Sequence, residues 1–255
     1  MTIRFTVIHN FDDHRAKYLD PALAKLVDSL GSQSCHLQKV GYQPLIYPHG
    51  LFERVARRSR QRRLALKMMF ELDVTKKFGV LAEWFLTIPT DAKNIVSGWL
   101  RKSKKSAIEE ILSLKHLRAW LDFLESKDQV LCVLEDDARF VDDADQRLTR
   151  ILYFLTSSNL QGFIVSLSAS YSLKELWIEN DVLRVDDLVI EFKNGAVNTT
   201  VVYLIDRQAA SLFIEAVYKN PKKLRLNADF LLNDLLLDFK ESVRCMQSIH
   251  PVIIN

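Results

Sequence analysis

A run of five apolar residues that leads straight into three carboxylates constrains this chain more than any other feature. The run covers residues 130–134, and the carboxylates are Glu135, Asp136 and Asp137. A continuous apolar run of this length is typical of a strand covered on both faces, as in the parallel sheet of an α/β domain. Ligands of such sheets collect just beyond the carboxyl ends of the strands. The sequence therefore predicts a buried strand that ends at a binding site.

The three adjacent carboxylates predict a divalent cation. They repel one another, so their clustering is costly unless a cation or a strong set of donors offsets it. Because side chains alternate along a strand, we expect Glu135 and Asp137 on one side and Asp136 on the other. Such hard oxygen ligands suit Mg²⁺ or Mn²⁺, which fill their remaining positions with water and substrate phosphate oxygens. The alternative is an ordinary acidic turn after a strand.

Composition indicates one α/β domain over residues 1–255. The chain has 255 residues, of which 48% are hydrophobic, which is enough for one large core. We expect no membrane-spanning helix and no signal peptide, because no apolar window of about 18 residues and no basic start followed by an apolar stretch is present. The odd and widely spaced cysteines, Cys35, Cys132 and Cys245, predict free thiols in a reducing cytoplasm.

The glycine content bears on how a phosphate could be bound. The chain has seven glycines, and they form neither a Gly-x-Gly-x-x-Gly nor a Walker-type loop. A glycine-rich loop that cradles phosphates is therefore excluded. A bound metal is the favoured charge partner for any diphosphate.

Short apolar runs alternate with longer helical patterns along the chain, as in βαβ units. We predict strands near residues 3–8, 130–135, 162–168, 183–191 and 198–205. We predict helices near residues 14–30, 50–72, 105–125, 142–158, 207–218 and 226–238, with Asp142 and Asp143 as caps of the helix after the acidic turn.

A basic and partly apolar insert is expected at about residues 50–105. Its arginines include Arg57, Arg58, Arg62 and Arg63, and aromatic and aliphatic residues are interspersed. This composition is typical of an interfacial helix on an anionic membrane surface. The alternative is a solvated helical insert with an ordinary packed face. Nucleic-acid binding is not expected, because the net charge is only +3 and no aromatic stacking motif is present.

Four segments, in order, resemble glycosyltransferase family 25, which contains lipooligosaccharide and collagen sugar transferases. They are a helix with a Ser-x-x-His pattern, the acidic strand, a threonine-rich strand that leads into a helix near Arg-x-x-Ala, and an aspartate before apolar residues. These segments lie at residues 111–124, 130–140, 196–210 and 227–232. The sequence departs from the family at Lys115, where a serine is more usual, and residues 41–105 match no segment of it.

The resemblance implies a GT-A-type nucleotide-sugar fold: a mixed, mostly parallel central sheet flanked by helices, with a helical insert. It implies a metal-dependent, inverting glycosyltransferase that takes a sugar from a nucleotide-sugar donor, a UDP-sugar first among the candidates. The acceptor would be a glycan or a lipid-linked saccharide in the synthesis of lipopolysaccharide or capsule. We then expect a cytoplasmic protein, peripheral on the inner face of the membrane if the basic insert binds it.

The resemblance also suggests how the diphosphate would be held. Glu135 and Asp137 would bind Mn²⁺ or Mg²⁺ against it, and His250 is a candidate further ligand of the metal. Asp136 would hydrogen-bond the ribose or the neighbouring backbone. Charge that develops on the leaving nucleotide would be neutralised by the metal.

Three more residues match the family near the nucleotide-sugar. Asp229 is the candidate catalytic base, and the alternative is a helix N-cap. His116 is expected near the phosphates of the donor, and the alternative is a core histidine bonded to backbone. Thr199 is expected to face the site together with Thr200, although threonine is common in strands.

Two other classes of protein remain open. A metal-dependent phosphoester hydrolase or phosphotransferase could use the same acidic strand end without a sugar acceptor. A non-catalytic binding protein with a transferase-like fold would bind nucleotide weakly or not at all.

Overall fold

The computed structural model describes residues 2–9, 13–31, 35–40, 104–168, 182–185, 187–193 and 200–254. The helix predicted near residues 50–72 lies outside the described residues, as do residues 50–103 of the basic insert and Thr199. The interfacial interpretation of that insert therefore stays a prediction.

The described part of the chain contains five α-helices and ten strands. The helices are α1 (Asp13–Ser29), α2 (Lys104–Glu125), α3 (Ala144–Ser157), α4 (Arg207–Lys219) and α5 (Ala228–Asp238), with a 3-10 turn at Pro221–Arg225. The strands are β1 (Ile3–Ile8), β2 (Cys35–Val40), β3 (Val130–Glu135), β4 (Arg139–Phe140), β5 (Phe163–Ser166), β6 (Val182–Val185), β7 (Val189–Phe192), β8 (Val202–Asp206), β9 (Arg244–Ser248) and β10 (Ile253–Ile254).

Eight strands form one mixed sheet in the order β2-β1-β3-β8-β5-β9-β7-β6, and β10 and β4 form a small second sheet. The pairings β1–β2, β1–β3 and β5–β9 are parallel, and the other four in the large sheet are antiparallel. Only β8 and β7 run against the remaining six strands, so most strands share one direction. The predicted α/β class, with a mixed and mostly parallel sheet flanked by helices, is confirmed.

Helices cover both faces of the sheet because its central strands are apolar on both sides. Along β3, Leu131 and Val133 join a core cluster with residues of α2, α4 and α5. Their neighbours Val130 and Cys132 join a second cluster with residues of α1 and α3. The continuous apolar run of β3 is thus explained by burial on two faces, as the sequence predicted.

The predicted segments with strong patterns are confirmed, and three details are wrong. The strand predicted over 183–191 is two antiparallel strands, β6 and β7. Strands β2, β4, β9 and β10 were not predicted. Asp143 occupies the N-cap position of α3, but its side chain caps no amide and instead pairs with Arg147 at 2.8 Å. Cys132 and Cys245 are buried thiols.

Arg207, at the start of α4, holds the chain as it leaves α2 and approaches β3. Its guanidinium donates to the backbone carbonyls of Phe123, Leu124, Ser126 and Asp128 at 3.2, 2.7, 2.9 and 3.1 Å. The last carbonyls of a helix have no partner within the helix, so an arginine fork that reaches several of them satisfies the helix end and fixes the turn. This clamp sets the position from which β3 begins.

Candidate functional site

The sheet topology gathers polar residues at the edge where β1 and β3 end. Strand β8 is antiparallel to β3, so the residues that precede it lie at this same edge. The amide of Glu135 donates to the carbonyl of Val201 at 2.8 Å, which places Thr200 beside the end of β3. The prediction that the buried strand ends at a polar cluster agrees with this arrangement.

Two carboxyl groups meet at the hydroxyl of Thr200. Its Oγ1 lies 2.5 Å from Oε1 of Glu135 and 3.0 Å from Oδ1 of Asp229. The backbone amide of Thr200 also donates to Oδ1 of Asp229, at 2.8 Å. A hydroxyl carries one proton, so Thr200 can donate to only one of the two carboxylates at a time, and the shorter contact favours Glu135. We call Glu135, Thr200 and Asp229 the carboxylate pair site.

Asp229 is not the N-cap of its helix. The side chain of Asn227 takes that role and accepts from the amide of Phe230 at 3.2 Å. Asp229 lies in the first turn of α5, and its carboxyl group faces Thr200. Burial raises the pKa of Asp229 above its usual range, and the charge of Glu135 acts in the same direction, against the hydrogen bonds from Thr200. A carboxyl group whose pKa is raised in this way is suited to proton transfer.

His116 lies behind Glu135 in a buried aromatic pocket. Its Nδ1 lies 2.8 Å from the hydroxyl of Tyr203, which also accepts a hydrogen bond from Nε1 of Trp120 at 2.9 Å. The His116 and Tyr203 rings are stacked, with centroids 5.7 Å apart. Nε2 of His116 is buried, has no hydrogen-bond partner among the described residues and lies 3.6 Å from Oε1 of Glu135. The lone histidine is therefore aimed at the carboxylate pair site.

The other two carboxylates of the acidic turn differ in their surroundings. Asp136 is buried, with 1% of its side chain exposed, and its Oδ1 accepts from Arg15 at 2.6 Å. Asp137 is half exposed and lies 3.8 Å from the same guanidinium. Burial raises the pKa of Asp137, and repulsion from Glu135 adds to this, against the opposing effect of Arg15. Strand β3 ends at Glu135, and one guanidinium nitrogen of Arg15 lies near both Asp136 and Asp137, so the predicted alternation does not separate these two carboxylates. Asp137 is nevertheless the accessible one.

A buried lysine supplies positive charge beneath the acidic turn. Lys115 is 2% exposed, and its ammonium group donates to the carbonyl of His9 at 2.7 Å. Burial lowers the pKa of Lys115, while attraction to Asp136 and Glu135 acts in the opposite direction. The sequence departure at this position therefore places a counter-charge behind the acidic strand end.

The residues present are compatible with a divalent cation held by few protein ligands. Oε2 of Glu135 accepts no hydrogen bond from the described residues. Asp137 lies close enough to Glu135 for the charge of Glu135 to raise its pKa. Magnesium and manganese commonly take one or two carboxylates and complete their shell with water and phosphate oxygens. Within the described ranges, no group of three or more His, Cys, Asp or Glu side chains is arranged to hold a metal.

His250 is exposed. The pKa of Asp143 is lowered mainly by the hydrogen bond from Arg147, and the charge of His250 adds a small effect in the same direction. The carbonyl of His250 accepts from Ser248. The structure therefore brings His250 near the start of α3, and its role as a metal ligand stays a prediction.

Of the predicted site residues, Glu135, His116 and Asp229 come together around Thr200. Asp136 and Asp137 lie next to them at the turn. The residues that the sequence did not single out are Tyr203, Lys115 and Arg15. The tyrosine lies in an apolar strand whose pattern indicates only burial. Lysine and arginine on helices give no signal of their own, because most such residues are solvated.

No protein-family model and no curated protein matches the chain. A solved structure of apo UDP-glucose pyrophosphorylase is similar over 97% of this chain and 90% of that chain, with 10% sequence identity and a TM-score of 0.45. This level of similarity supports no statement about activity. None of the helices in the described part of the chain is long and apolar enough to cross a membrane.

Proposed function

We propose that the protein is a metal-dependent, inverting glycosyltransferase with a GT-A-type fold. The observation that carries the proposal is the carboxylate pair site: Glu135 and Asp229 share the hydroxyl of Thr200 at the end of a buried strand. One carboxyl group is poised to take a proton, and the other retains an oxygen for a cation. The resemblance of four ordered segments to sugar transferases supports the choice of sugar transfer over other metal-dependent chemistry.

In the proposed mechanism Asp229 is the general base. Its Oδ1 accepts from the amide of Thr200 and lies 3.0 Å from the Thr200 hydroxyl, while Oδ2 accepts no hydrogen bond from the described residues. Oδ2 would take the proton of an acceptor hydroxyl while the oxygen of that hydroxyl forms a bond to the anomeric carbon. The bond from this carbon to the donor phosphate breaks, and its electron pair leaves with the nucleoside diphosphate. Attack from the opposite face inverts the anomeric configuration.

Glu135 and Asp137 would hold Mn²⁺ or Mg²⁺ at the turn, with His250 a candidate further ligand. When bound, the metal supplies positive charge that stabilises the leaving diphosphate. Lys115 offsets the negative charge of the turn from within the core. Asp136, held by Arg15, would support the shape of the turn. We also propose that Asp136 contacts the ribose and that Thr199 contacts the donor.

We propose a nucleotide-sugar as donor, with a UDP-sugar as the first candidate. The proposed acceptor is a glycan or a lipid-linked saccharide used in surface polysaccharide synthesis. Such an acceptor fits a cytoplasmic enzyme that binds the inner face of an anionic membrane through the basic insert. No nucleic acid takes part in this proposal.

A turnover experiment tests the proposal without knowledge of the acceptor. The protein is incubated with a panel of nucleotide-sugars and Mn²⁺, with water as a slow acceptor, and the release of nucleoside diphosphate and free sugar is measured. We expect metal-dependent release from one class of donor, with the inverted anomer formed first. Matched variants are Glu135→Gln and Asp229→Asn, which keep shape and remove charge.

The same experiment separates the other classes of protein. Turnover of a simple phosphomonoester, with no preference for a sugar diphosphate, would indicate a hydrolase or phosphotransferase. Absence of turnover and of nucleotide binding over the whole panel would indicate a non-catalytic protein.

A further inference from the structure

The buried chain of contacts from Trp120 through Tyr203 to His116 defines which nitrogen of His116 carries a proton. Nε1 of Trp120 can only donate, so the Tyr203 oxygen accepts from it at 2.9 Å. The hydroxyl proton of Tyr203 then needs an acceptor, and Nδ1 of His116 at 2.8 Å is the one that the described residues provide. Burial raises the pKa of Tyr203 well above its usual range, so this proton stays on the oxygen.

The opposite tautomer would leave the pocket unsatisfied. If Nδ1 carried the proton, both Trp120 and His116 would donate to the Tyr203 oxygen. The hydroxyl proton of Tyr203 would then have no acceptor in a pocket where Tyr203 and His116 are 0% and 1% exposed. A buried donor without a partner is disfavoured in population by roughly 5- to 150-fold. In the Nε2–H tautomer the ring N–H also lacks a hydrogen bond within the described residues, but it faces the Glu135 carboxylate at 3.6 Å, whereas the Nδ1–H tautomer would turn a nitrogen lone pair towards that carboxylate. The contacts therefore favour the tautomer with its proton on Nε2.

The proton on Nε2 faces Glu135. Nε2 lies 3.6 Å from Oε1 of Glu135, and the same oxygen accepts from Thr200 at 2.5 Å. Thr200 donates a hydrogen bond to this oxygen, and the His116 N–H, beyond hydrogen-bond distance, attracts it electrostatically. Both interactions act on Oε1 and leave Oε2 as the atom that can bind a ligand. Ring N–H groups commonly orient carboxylates in this way, and the partners behind them fix the tautomer.

We propose that Tyr203, held by Trp120, is a positioning residue that fixes His116 in the Nε2–H tautomer and thereby orients the carboxylate of Glu135. The proposal rests on the proposed function only for what Glu135 then binds. The tautomer itself is a property of the protein without any ligand.

The direct test is ¹⁵N NMR of the histidine side chains in the full chain, without ligand, at a mildly alkaline pH. Long-range proton–nitrogen correlations distinguish the two neutral tautomers and the imidazolium. A His116→Gln variant assigns the signal. We expect a predominantly Nε2–H ring for His116. A predominantly Nδ1–H ring, or an imidazolium, would overturn the proposal.

Two variants identify which neighbour sets the tautomer. Tyr203→Phe keeps the stacked ring and removes the hydroxyl, and we expect the Nε2–H signal to give way to a mixture of forms. Glu135→Gln keeps the acceptor oxygen near Nε2 and removes its charge, and we expect the wild-type tautomer to persist. An unchanged tautomer in folded Tyr203→Phe, or its loss in folded Glu135→Gln, would assign the control to Glu135 and refute the role of Tyr203.

Tyr153→Phe is the matched control, because Tyr153 is 75% exposed on α3 and the change removes the same hydroxyl from a solvated side chain. It should leave the His116 signal unchanged. If Tyr203→Phe does not fold, the wild-type spectrum and Glu135→Gln still decide the question. A wrong tautomer leaves the proposed sugar transfer open, and a lack of sugar transfer leaves the tautomer result valid.

Discussion

Thr200 contacts Asp229 through two of its groups: its amide lies 2.8 Å and its hydroxyl 3.0 Å from the same carboxylate oxygen, Oδ1. This double contact ties the start of α5 to the residue that precedes β8. It also leaves one oxygen of the proposed base available. Because Thr200 contacts Glu135 as well, a single hydroxyl links the two carboxyl groups on which the proposed chemistry depends.

Removal of this hydroxyl should weaken the fold and the site together. Thr200→Val keeps the shape of the buried side chain and removes the hydroxyl that links the two carboxylates, so we expect a loss of about 1–3 kcal/mol in the free energy of unfolding. Urea denaturation measures it. Thr200→Ser, which keeps the hydroxyl, should recover most of the loss. Thr156→Val, at an exposed helix position, should cost no more than about 0.5 kcal/mol. Equal stability of Thr200→Val and wild type would contradict the account.

Asp229→Asn should separate chemistry from stability. The amide keeps an oxygen for the two Thr200 donors and cannot take a proton, so turnover should fall by about 10²–10⁴-fold with donor binding nearly unchanged. Steady-state kinetics and donor titration check this pair of outcomes. Turnover at the wild-type rate would leave Asp229 with a structural role alone.

The pH dependence of stability gives a second test at Asp229. A carboxyl group whose pKa is raised by folding costs stability, because its ionisation favours the unfolded chain, in which the pKa is lower. The cost is absent below the unfolded pKa of about 3.9 and complete above the raised folded pKa. Asp229→Asn should therefore gain stability relative to wild type as the pH rises through this window, measured by urea denaturation at several pH values. A constant difference across the window would show that folding does not raise this pKa.

Neighbouring carboxylates in the acidic turn should respond in opposite ways to the same substitution. Asp137→Asn relieves repulsion at a half-exposed position, so the folded protein should be no less stable at neutral pH, while Mn²⁺ affinity should collapse. Asp136→Asn breaks a buried ion pair with Arg15 and should destabilise the fold. Thermal unfolding and Mn²⁺ titration of both variants provide the measurement. Intact metal binding by Asp137→Asn would refute the proposed role of Asp137.

The arginine clamp at the end of α2 predicts a sharp difference between arginine and lysine. Arg207→Lys keeps the charge and cannot reach four carbonyls with a planar fork, so we expect a loss of about 1.5–3 kcal/mol. Arg150→Lys, at an exposed position of α3, is the control and should change stability by less than about 0.5 kcal/mol. Similar effects of the two substitutions would show that the clamp contributes little.

The sequence predicted those parts of the fold in which local pattern and burial agree. Strand β3 is apolar throughout because both faces are covered, and its bounds follow from that run. Strand β2 pairs with one neighbour in the sheet and mixes polar with apolar residues, so its pattern is weak. Strand β9 has the sequence RCMQS, and its last four residues are buried. Because two of these buried residues are the polar glutamine and serine, the sequence shows no apolar pattern typical of a buried strand. The position of β9 depends on its neighbours in the sheet.

The candidate site could be predicted only in part for a similar reason. The acidic strand end is a local feature, and a family resemblance suggested His116 and Asp229. The contact between Thr200 and Glu135 joins residues 65 positions apart, and only the antiparallel insertion of β8 beside β3 creates it. Tyr203 lies among apolar residues in sequence, and its hydroxyl acquires a role only when α2 packs on the sheet.

A thermal-shift comparison of nucleotide-sugars with and without Mn²⁺ tests the central claim most directly. A ligand that binds the folded state stabilises it by about 2.7 kcal/mol at a concentration of 100 times Kd. We predict that one class of nucleotide-sugar, with Mn²⁺ present, raises the Tm of the wild type by several degrees. Asp137→Asn should abolish the shift, and Asp229→Asn should retain it. The absence of any shift over the whole panel, or an equal shift without metal and in Asp137→Asn, would contradict the assignment of this site to metal-dependent sugar transfer.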